Sequence, residues 1–535
     1  MTTDQRSPLV DLHGRSPWSI IPPLCLGFFM IMVDTTIVNI AIPTLSTELD
    51  ADLVAVGWVN SAYLLTFAVL LLVTGRLGDR FGPRPMFIAG LVVFTLTSLA
   101  CGLAPNIGVL IGARALQGIG AALMTPQTMS MITRVFPAAK RGAAMGVWGA
   151  TAGVATIAGP VLGGALVESW GWEWIFFVNI PIGIVALWLS FTKLPTLPTA
   201  ARSFDVVGML LSIVGMFLLV FGLQEGEKYD WGTVTGPITI WMIVGAGVAV
   251  LVGFVLWQRH LGEDALMPLR LFHVRNFSLA NVAGWAVTFA MTGLFFPFTI
   301  FLQSVLGLSA LHAALVGLPG SLLSGIVAPF AGRLSDRFPA KWIVATGFAI
   351  LVVVVAWLSF AIGPDAPVWT LVLPMTFFGI GTGFLFSPLA STATAGLDHR
   401  TAGAGAGAFN TNRQIGGVIG SAAVVALLTS RLSVAIPDAV KDAAAQIPAG
   451  ERQKLLDGLA QADVGSLSTG GGSITNPVLL DAVHSGFATA VSQTLWLTVA
   501  TLALGLAASL AMRATRPQPH GAPPKGEVAA AAVAH

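Results

Sequence analysis

Charge is scarce in this chain of 535 residues. Asp, Glu, Lys and Arg together make up 10% of it, whereas 55% is hydrophobic and the mean hydropathy is +0.82. Such a composition excludes a water-soluble globular protein and indicates a protein that crosses the membrane many times. The net charge of +2 gives no sign of a nucleic-acid partner, and none is expected.

Cysteine is equally rare, and catalytic motifs are missing. Cys25 and Cys101 are the two cysteines, and both lie in apolar runs where a thiol behaves as a small hydrophobe, so no disulfide is expected. The eight histidines form no HExxH pair, and the chain has no G-x-S-x-G string or metal-ligand cluster. We therefore expect no enzyme activity, no metal site and no cofactor.

Long apolar runs are what the chain has in abundance. A helix of about 20 mostly apolar residues spans a bilayer, and fourteen windows of this kind follow one another. Because they lack the two-residue alternation of barrel strands, the predicted fold class is an all-α polytopic membrane protein. The windows lie at 18–43, 54–74, 86–104, 107–132, 142–167, 173–193, 205–223, 237–257, 277–305, 312–331, 341–362, 367–390, 402–430 and 485–512.

The positions of the basic residues predict the orientation. Most Lys and Arg fall on the side of the N-terminus, and those on the other side lie mainly in the long loop 431–484. The positive-inside rule then places both termini in the cytoplasm, in agreement with an even helix count. No cleavage site follows a short apolar core, so we expect no removable signal peptide. The excess of Arg over Lys is typical of a GC-rich bacterium, which predicts the inner membrane.

One string occurs twice in the chain. GRLGDRFGPRP (75–85) follows the second window and GRLSDRFPAK (332–341) follows the tenth. Repeated halves of this kind are typical of alternating-access transporters. The predicted organisation is a cytoplasmic N-terminus (1–17), an N-terminal six-helix bundle (18–198), a two-helix insert (199–260), a C-terminal six-helix bundle (261–515) and a disordered cytoplasmic tail (516–535).

These strings resemble those of a known family. GRLGDRFGPRP is similar to the signature loop of the major facilitator superfamily, and VDTTIVNIAIP (33–43) in a chain of fourteen helices resembles its 14-helix drug:proton antiporter branch. ARALQGIGAALMTP (113–126), WEWIFFVNIPIG (172–183) and NTNRQIGGVIG (410–420) extend the resemblance. It implies two pseudo-symmetric six-helix bundles with two inserted helices, and transport driven by the proton gradient.

The repeated string predicts a gate at the cytoplasmic rim. Its glycines permit a tight turn, and its charged side chains can bond helix ends or neighbouring charges, which forms a latch that is made and broken. The alternative is that its arginines only set the topology. The residues assigned to this gate are Gly75, Arg76, Gly78, Asp79, Arg80, Gly82, Arg84, Gly332, Asp336 and Arg337.

A carboxylate stands inside the first membrane window. Asp34 lies about 13 Å from the outer end of its helix, and Arg114 about 12 Å from the outer end of the fourth, at 1.5 Å per residue. Either charge alone costs roughly 2.5 to 3.5 kcal/mol near the bilayer centre, so equal depth predicts that they face one another or a polar cavity. The resemblance implies that Asp34 carries the coupled proton and Arg114 tunes it. A permanent ion pair between two helices is the alternative.

Polar and aromatic membrane residues are the candidates for a cargo cavity, although each can also serve packing alone. They are Asn60, Tyr63, Gln117, Trp285, Phe289, Met291, Gln303, Asn410, Arg413 and Gln414. Arg413 has three expected environments, namely backbone carbonyls, a cargo carboxylate or phosphate, and the cytoplasmic rim. Since the last six windows contain no core acid, Asp34 alone predicts neutral or monovalent cationic cargo.

The fifth window contains GPVLGG, in which Gly159, Pro160, Gly163 and Gly164 allow a kink and close packing. The resemblance implies an antiporter motif at a helix interface that seals the inward gate. Close packing without a gating role is the alternative.

The predicted function is proton-coupled antiport that exports small lipophilic compounds, as in multidrug efflux and antibiotic resistance. Export of an endogenous lipid, glycolipid or secondary metabolite needs the same kind of cavity and stays open. A membrane receptor or regulator without transport is the alternative of another class. The expected partners are small molecules, protons and membrane lipids, with room for a periplasmic or cell-envelope partner at loop 431–484.

Overall fold

The computed structural model describes residues 15–51, 53–199, 205–226, 229, 231–262, 265–267, 269–394, 402–444 and 477–514. Thirteen helices in this part of the chain are long and apolar enough to cross a membrane. The helix at Ala138–Trp170, with 33 residues, occupies the remaining predicted window. The predicted fold class, an all-α polytopic membrane protein, is confirmed.

The helices follow the predicted windows along the chain. The first group consists of α1 (Ile21–Glu48), α2 (Leu53–Phe81), α3 (Pro83–Gly102), α4 (Ile107–Val135), α5 (Ala138–Trp170), α6 (Trp174–Phe177) and α7 (Asn179–Lys193). Then come α8 (Val206–Glu225), the short antiparallel pair β1 (Thr233–Thr235) and β2 (Ile238–Thr239), and α9 (Ile240–Leu261). The last group consists of α10 (Arg275–Ser304), α11 (Ala310–Ser335), α12 (Ala340–Ala361), α13 (Val368–Gly383), α14 (Phe386–Thr394), α15 (Ala402–Ala444) and α16 (Pro477–Ala511).

Two predicted loops are partly helical. The string GRLGDRF continues α2 to Phe81, and only Gly82, with φ of +94°, makes the turn into α3. Likewise, α15 continues to Ala444 and α16 begins at Pro477, so the predicted loop 431–484 is shorter than expected. Apolar length shows where a helix leaves the membrane and not where it ends, because polar residues can continue it in water. The centre of that loop and the predicted disordered tail lie outside the described residues.

The two main contacts between the helix groups involve α5 and α15, which also touch α14 and α4, respectively, in the opposite groups. The helix α5 packs along α11, and α15 packs along α2. In each case a helix of one group packs against a helix of the other. The helices α8 and α9 pair with one another, and α8 also lies against α2. The functional residues therefore sit either within the first group or between the two groups.

Asp205 fastens the α8–α9 pair. Its carboxylate caps α8 by accepting from the Gly208 backbone N–H at 2.7 Å, and it accepts from Trp257 Nε1 at 2.9 Å and Gln258 Nε2 at 2.7 Å on α9. Burial by itself raises the pKa of Asp205, but these hydrogen bonds outweigh burial and hold the pKa below its usual range. The ionised carboxylate is thus the form that holds α8 to α9.

Candidate functional site

Asp34 and Arg114 meet in the interior of the first helix group. Arg114 Nη1 lies 2.5 Å from Asp34 Oδ2, and neither side chain is exposed. The contact predicted from equal depth is therefore present. Arg114 also donates through Nε to the Val59 carbonyl at 3.0 Å and lies 4.3 Å from the centre of the Tyr63 ring. One guanidinium thus joins α1, α2 and α4.

Two amides complete the donors around Asp34. Gln117 Nε2 donates to Asp34 Oδ1 at 3.0 Å, and Asn179 Nδ2 donates to the same oxygen at 3.3 Å. Both amides also donate to Ser98 Oγ, at 2.8 and 3.1 Å, while Gln117 Oε1 accepts from Arg114 at 2.7 Å. Asp34 thus accepts from three side-chain donors, one of which, Arg114, is a cation.

Protonation of Asp34 has a structural consequence. It removes the counter-charge of Arg114, and a buried cation without a counter-charge is strongly unfavourable. A proton on Asp34 therefore requires α1 to move against α4, or water to enter. The same geometry also suits the permanent ion pair, so the contact by itself leaves the role of Asp34 as a prediction.

Sequence reasoning missed two members of this network, Ser98 and Asn179. Asn179 lies in the VNIPIG string at the break between α6 and α7, and a polar amide in an apolar window was the available signal. Ser98 gave no such signal, because serine in a membrane helix commonly bonds its own backbone.

A cavity of about 220 Å³ lies between the two helix groups. Much of its wall is aromatic, and Phe28 stacks on Trp148 with ring centres 4.3 Å apart. The polar lining side chains are Thr125, Ser321, Ser324, Thr382, Asn410, Arg413 and Gln414. No group of three or more His, Cys, Asp or Glu that could hold a metal ion occurs in the described ranges.

The structure places only some of the candidate cavity residues on this wall. Met291, Asn410, Arg413 and Gln414 line it. Tyr63 and Gln117 instead belong to the Asp34 network, and Asn60 lies half-buried on α2 away from the lining. Trp285 and Phe289 pack on each other, with ring centres 5.1 Å apart, and neither is part of the lining. Gln303 is exposed, because it is the penultimate residue of α10.

The repeated string holds the two helix groups together at one end, which we call the latch end. Asp79 Oδ2 accepts from the Ala404 backbone N–H of α15 at 2.9 Å. Asp336 accepts from the backbone N–H groups of Gly142 at 2.9 Å and Ala143 at 3.1 Å, both on α5. Each carboxylate therefore contacts the N-terminal turns of a helix in the opposite group, where the helix dipole favours negative charge. Burial raises the pKa of Asp336 above its usual range, although these N–H groups oppose the change.

The remaining gate residues support this end. Gly78 is packed so closely on α4 that an added Cβ would lie 1.8 Å from Gln127 Oε1. Arg84 donates to the Phe191 carbonyl of α7 at 2.9 Å. The other assigned positions are Gly75 and Arg76 on α2, Arg80 beside the Phe81 ring, Gly332 on α11 and the exposed Arg337.

Two glycines of α5 outside the predicted motif pack at the same end. Gly142 and Gly146 face α11, and an added Cβ would lie 2.3 Å from the Gly332 carbonyl oxygen and 2.8 Å from Pro329 Cα, respectively. Gly159 instead faces α1, where a Cβ would lie 1.9 Å from Thr36 Oγ1. Of the other predicted motif residues, Gly163 is buried, Gly164 has no neighbour within 4 Å of a built Cβ, and the Pro160 ring lies outside the described side chains.

A cavity between two packed groups of membrane-spanning helices, with paired latches at one end, is typical of a membrane transporter. The chain belongs to the Major Facilitator Superfamily, whose family model matches residues 24–421. It is a multi-pass membrane transporter of small molecules and not an enzyme.

Relatives agree over most of the length. The chain is 42% identical to the uncharacterized MFS-type transporter Rv1250 of Mycobacterium tuberculosis, covering 95% of this chain and 83% of that protein. It is 32% identical to the tetracenomycin C resistance and export protein of Streptomyces glaucescens, covering 96% and 94%. The fold is similar to that of the human organic anion transporter MFSD10, with a TM-score of 0.58, 13% identity, and coverage of 91% of this chain and 100% of that one.

Proposed function

We propose that this protein is a proton-coupled antiporter of the bacterial inner membrane, with both termini in the cytoplasm, that exports small lipophilic compounds. The observation that carries the proposal is the buried Asp34, which accepts from Arg114, Gln117 and Asn179. No other acid stands near the middle of a spanning helix in the described part of the chain. The similarity to a resistance and export protein supports export as the direction.

Helix α1 links the proton to the cargo. Phe28 and Met32 line the cavity, and Asp34 lies two residues further along the same helix. A proton on Asp34 weakens the hold of Arg114 on α1, so α1 can repack and change the cavity wall. Proton entry from outside would then accompany release of the cargo outside.

The two latches would open and close one end of the cavity, which alternating access requires. With Asp79 of α2 bonded to α15 and Asp336 at the end of α11 bonded to α5, the latch end is closed. In the proposed topology this end faces the cytoplasm. Release of both carboxylates would let the two helix groups part there, so that the cavity takes up cargo from the cytoplasm or the inner leaflet.

The charge of the cargo needs a separate argument. The expectation of neutral or monovalent cationic cargo rested on Asp34 as the acid that faces it. In the structure Asp34 has no exposed surface and is not part of the cavity lining. The aromatic wall supports a lipophilic cargo, whereas any preference for charge has to come from the lining itself.

Transport in proteoliposomes under an imposed pH gradient tests the proposal. Asp34→Asn should abolish proton-driven flux of lipophilic dyes while the protein remains folded and monodisperse, and Asp365→Asn at an exposed loop is the matched control. Near-normal flux in Asp34→Asn would contradict the proton role. Restored flux in Asp34→Asn with Arg114→Gln would instead support a purely structural ion pair.

The same liposomes separate the other functions. Proton movement driven by an extracted lipid but by no dye would favour export of an endogenous lipid or glycolipid. Tight binding with no flux of any cargo would favour a receptor.

A further inference from the structure

The cavity between the helix groups contains one charged side chain, and that side chain is a cation. Arg413 of α15 lines the wall beside Asn410 and Gln414, and no Asp or Glu is among the lining residues. No residue in the described ranges forms a salt bridge with Arg413 or accepts a hydrogen bond from its guanidinium. Its neighbours are the rings of Phe386 and Phe409, whose centres lie 5.2 and 5.9 Å from its Cζ.

Arg114 shows the partners that a fully buried membrane arginine has when its guanidinium is well satisfied. It pairs with Asp34 and donates to the Val59 carbonyl and the Gln117 side chain. A guanidinium carries five N–H donors, and contacts with aromatic rings satisfy none of them. Arg413 therefore retains donors that suit the two oxygens of a carboxylate or sulfonate.

The rest of the wall determines the form of the partner. The same wall includes the apolar side chains of Phe28, Trp148 and Met291. Asn410 and Gln414 are within one turn of Arg413 on α15 and add neutral hydrogen-bonding groups beside the charge. The site is thus an apolar chamber with one cationic point, which favours a lipophilic body that carries one negative charge.

We propose that the cargo of this transporter is a lipophilic organic anion, whose single carboxylate or similar acidic group pairs with Arg413. The inference rests on the proposed antiport and specifies its substrate class.

The charge of the cargo also determines how much charge each transport cycle moves across the membrane. Exchange of one monoanion outward for one proton inward moves two charges, whereas exchange of a monovalent cation for one proton moves none. Each charge is worth about 2.3 kcal/mol per 100 mV, so the membrane potential alone should drive anion export.

The test uses the full-length protein in proteoliposomes and two probes that share a ring system, naphthalene-1-sulfonate and the 1-naphthyl-trimethylammonium ion. At equal pH on both sides, a valinomycin-imposed potential, negative on the side that corresponds to the cytoplasm, should drive sulfonate flux and leave ammonium flux unchanged. Arg413→Gln should raise KM for the sulfonate by about 10-fold or more, and Arg413→Lys should recover most of the loss because it retains the charge.

Binding separates this inference from the proposed function. Equilibrium dialysis of the solubilised protein should show naphthalene-1-sulfonate bound at least about 10-fold more weakly by Arg413→Gln. Ammonium flux without sulfonate flux would overturn the substrate class and leave the antiporter intact. Sulfonate binding that depends on Arg413, without flux of either probe, would overturn the antiporter and leave the site intact. Equal loss of both probes in Arg413→Gln would give Arg413 a structural role and overturn the inference.

Discussion

The orientation of the Gln117 side-chain amide is set by the charges of the proposed proton site. Its amide oxygen faces Arg114, and its amide nitrogen faces Asp34 and Ser98. The reverse orientation would set N–H against guanidinium and oxygen against carboxylate, so the network allows one orientation only. Once Asp34 is protonated, its acid can donate to the amide oxygen and the preference weakens. Under the proposed proton role of Asp34, Gln117 would respond to the proton. Gln117 contacts Asp34 and is not part of the cavity lining.

Asn179 should matter to coupling although it carries no charge. Asn179→Leu removes one donor from Asp34 and one from Ser98, so we expect proton-driven flux to fall by about 10-fold while cargo affinity changes by less than about 2-fold. Ser190→Ala on the same helix is the control, because Ser190 Oγ bonds only the Ala186 carbonyl of its own helix, at 2.6 Å. Flux in the proteoliposome assay and dialysis measure the two effects. Unchanged flux in Asn179→Leu would remove Asn179 from the proton site.

The sequence predicted the charged members of this network but not the neutral ones, and the reason is energetic. An unpaired ionised group in a membrane helix is energetically costly, so the equal depth of Asp34 and Arg114 is enough to predict that they pair. A serine can be satisfied by the helix that carries it, as Ser190 is. Nothing in the residue type shows that Ser98 instead bridges Gln117 and Asn179.

At the scale of the helix, the α8–α9 pair should depend on the ionised form of Asp205. Because the pKa of Asp205 is lower in the folded protein, its stabilising effect is present above its ordinary value near 3.8 and is lost as pH falls through the folded value. Asp205→Asn should lower thermal stability in detergent at pH 7 by an amount typical of a lost cap, about 0.5 to 2 kcal/mol. Melting curves of the variant and the wild type should converge below pH 4. A constant difference down to pH 3 would contradict the role of its charge.

The α5–α11 contact should tolerate no added side chain. In Gly146→Ala the Cβ would lie 2.8 Å from Pro329 Cα, which is backbone and cannot turn away, so the two helices must separate. Gly164→Ala on the same helix is the matched control, since no atom lies within 4 Å of a Cβ built there. Spin labels at Lys140 and Lys341, in a background without Cys25 and Cys101, should show a longer latch-end distance only in Gly146→Ala. Equal distances in both variants would contradict the sealing role.

The windows located the spans well, because about 20 apolar residues have no other stable place in a membrane. Function at this scale was harder to predict. The string GPVLGG drew attention to Gly159, but the closest approach between the groups uses Gly142 and Gly146. Glycine spacing along one helix shows a face free of bulk and does not show which helix packs on it.

At the scale of the whole molecule, the role of the repeated string depends on which helices its two Asp side chains bond. Asp79 bonds a residue 325 positions away and Asp336 one 194 positions away. Each copy bonds a helix of the other helix group. A sequence repeat shows that two sites are equivalent, but the order of packing decides that each latch closes on the opposite half.

That crossing arrangement predicts how the transporter opens. Removal of a carboxylate takes away a negative charge that the N-terminal turns of α15 or α5 favour and that bonds across the interface, so truncation should favour the open latch end. A charge at a helix N-terminus contributes about 0.3 to 2 kcal/mol. Near 1 kcal/mol per latch, Asp79→Ala or Asp336→Ala alone should raise the open-to-closed ratio about 5-fold, and the double variant about 25-fold.

The spin-label distances at Lys140 and Lys341 measure the ratio, with Asp365→Ala as the control for loss of an exposed acid. A double variant no more open than either single one would mean that the latches do not act independently. The two halves would then be held by the α5–α11 contact, and the carboxylates would only orient helix ends already in place.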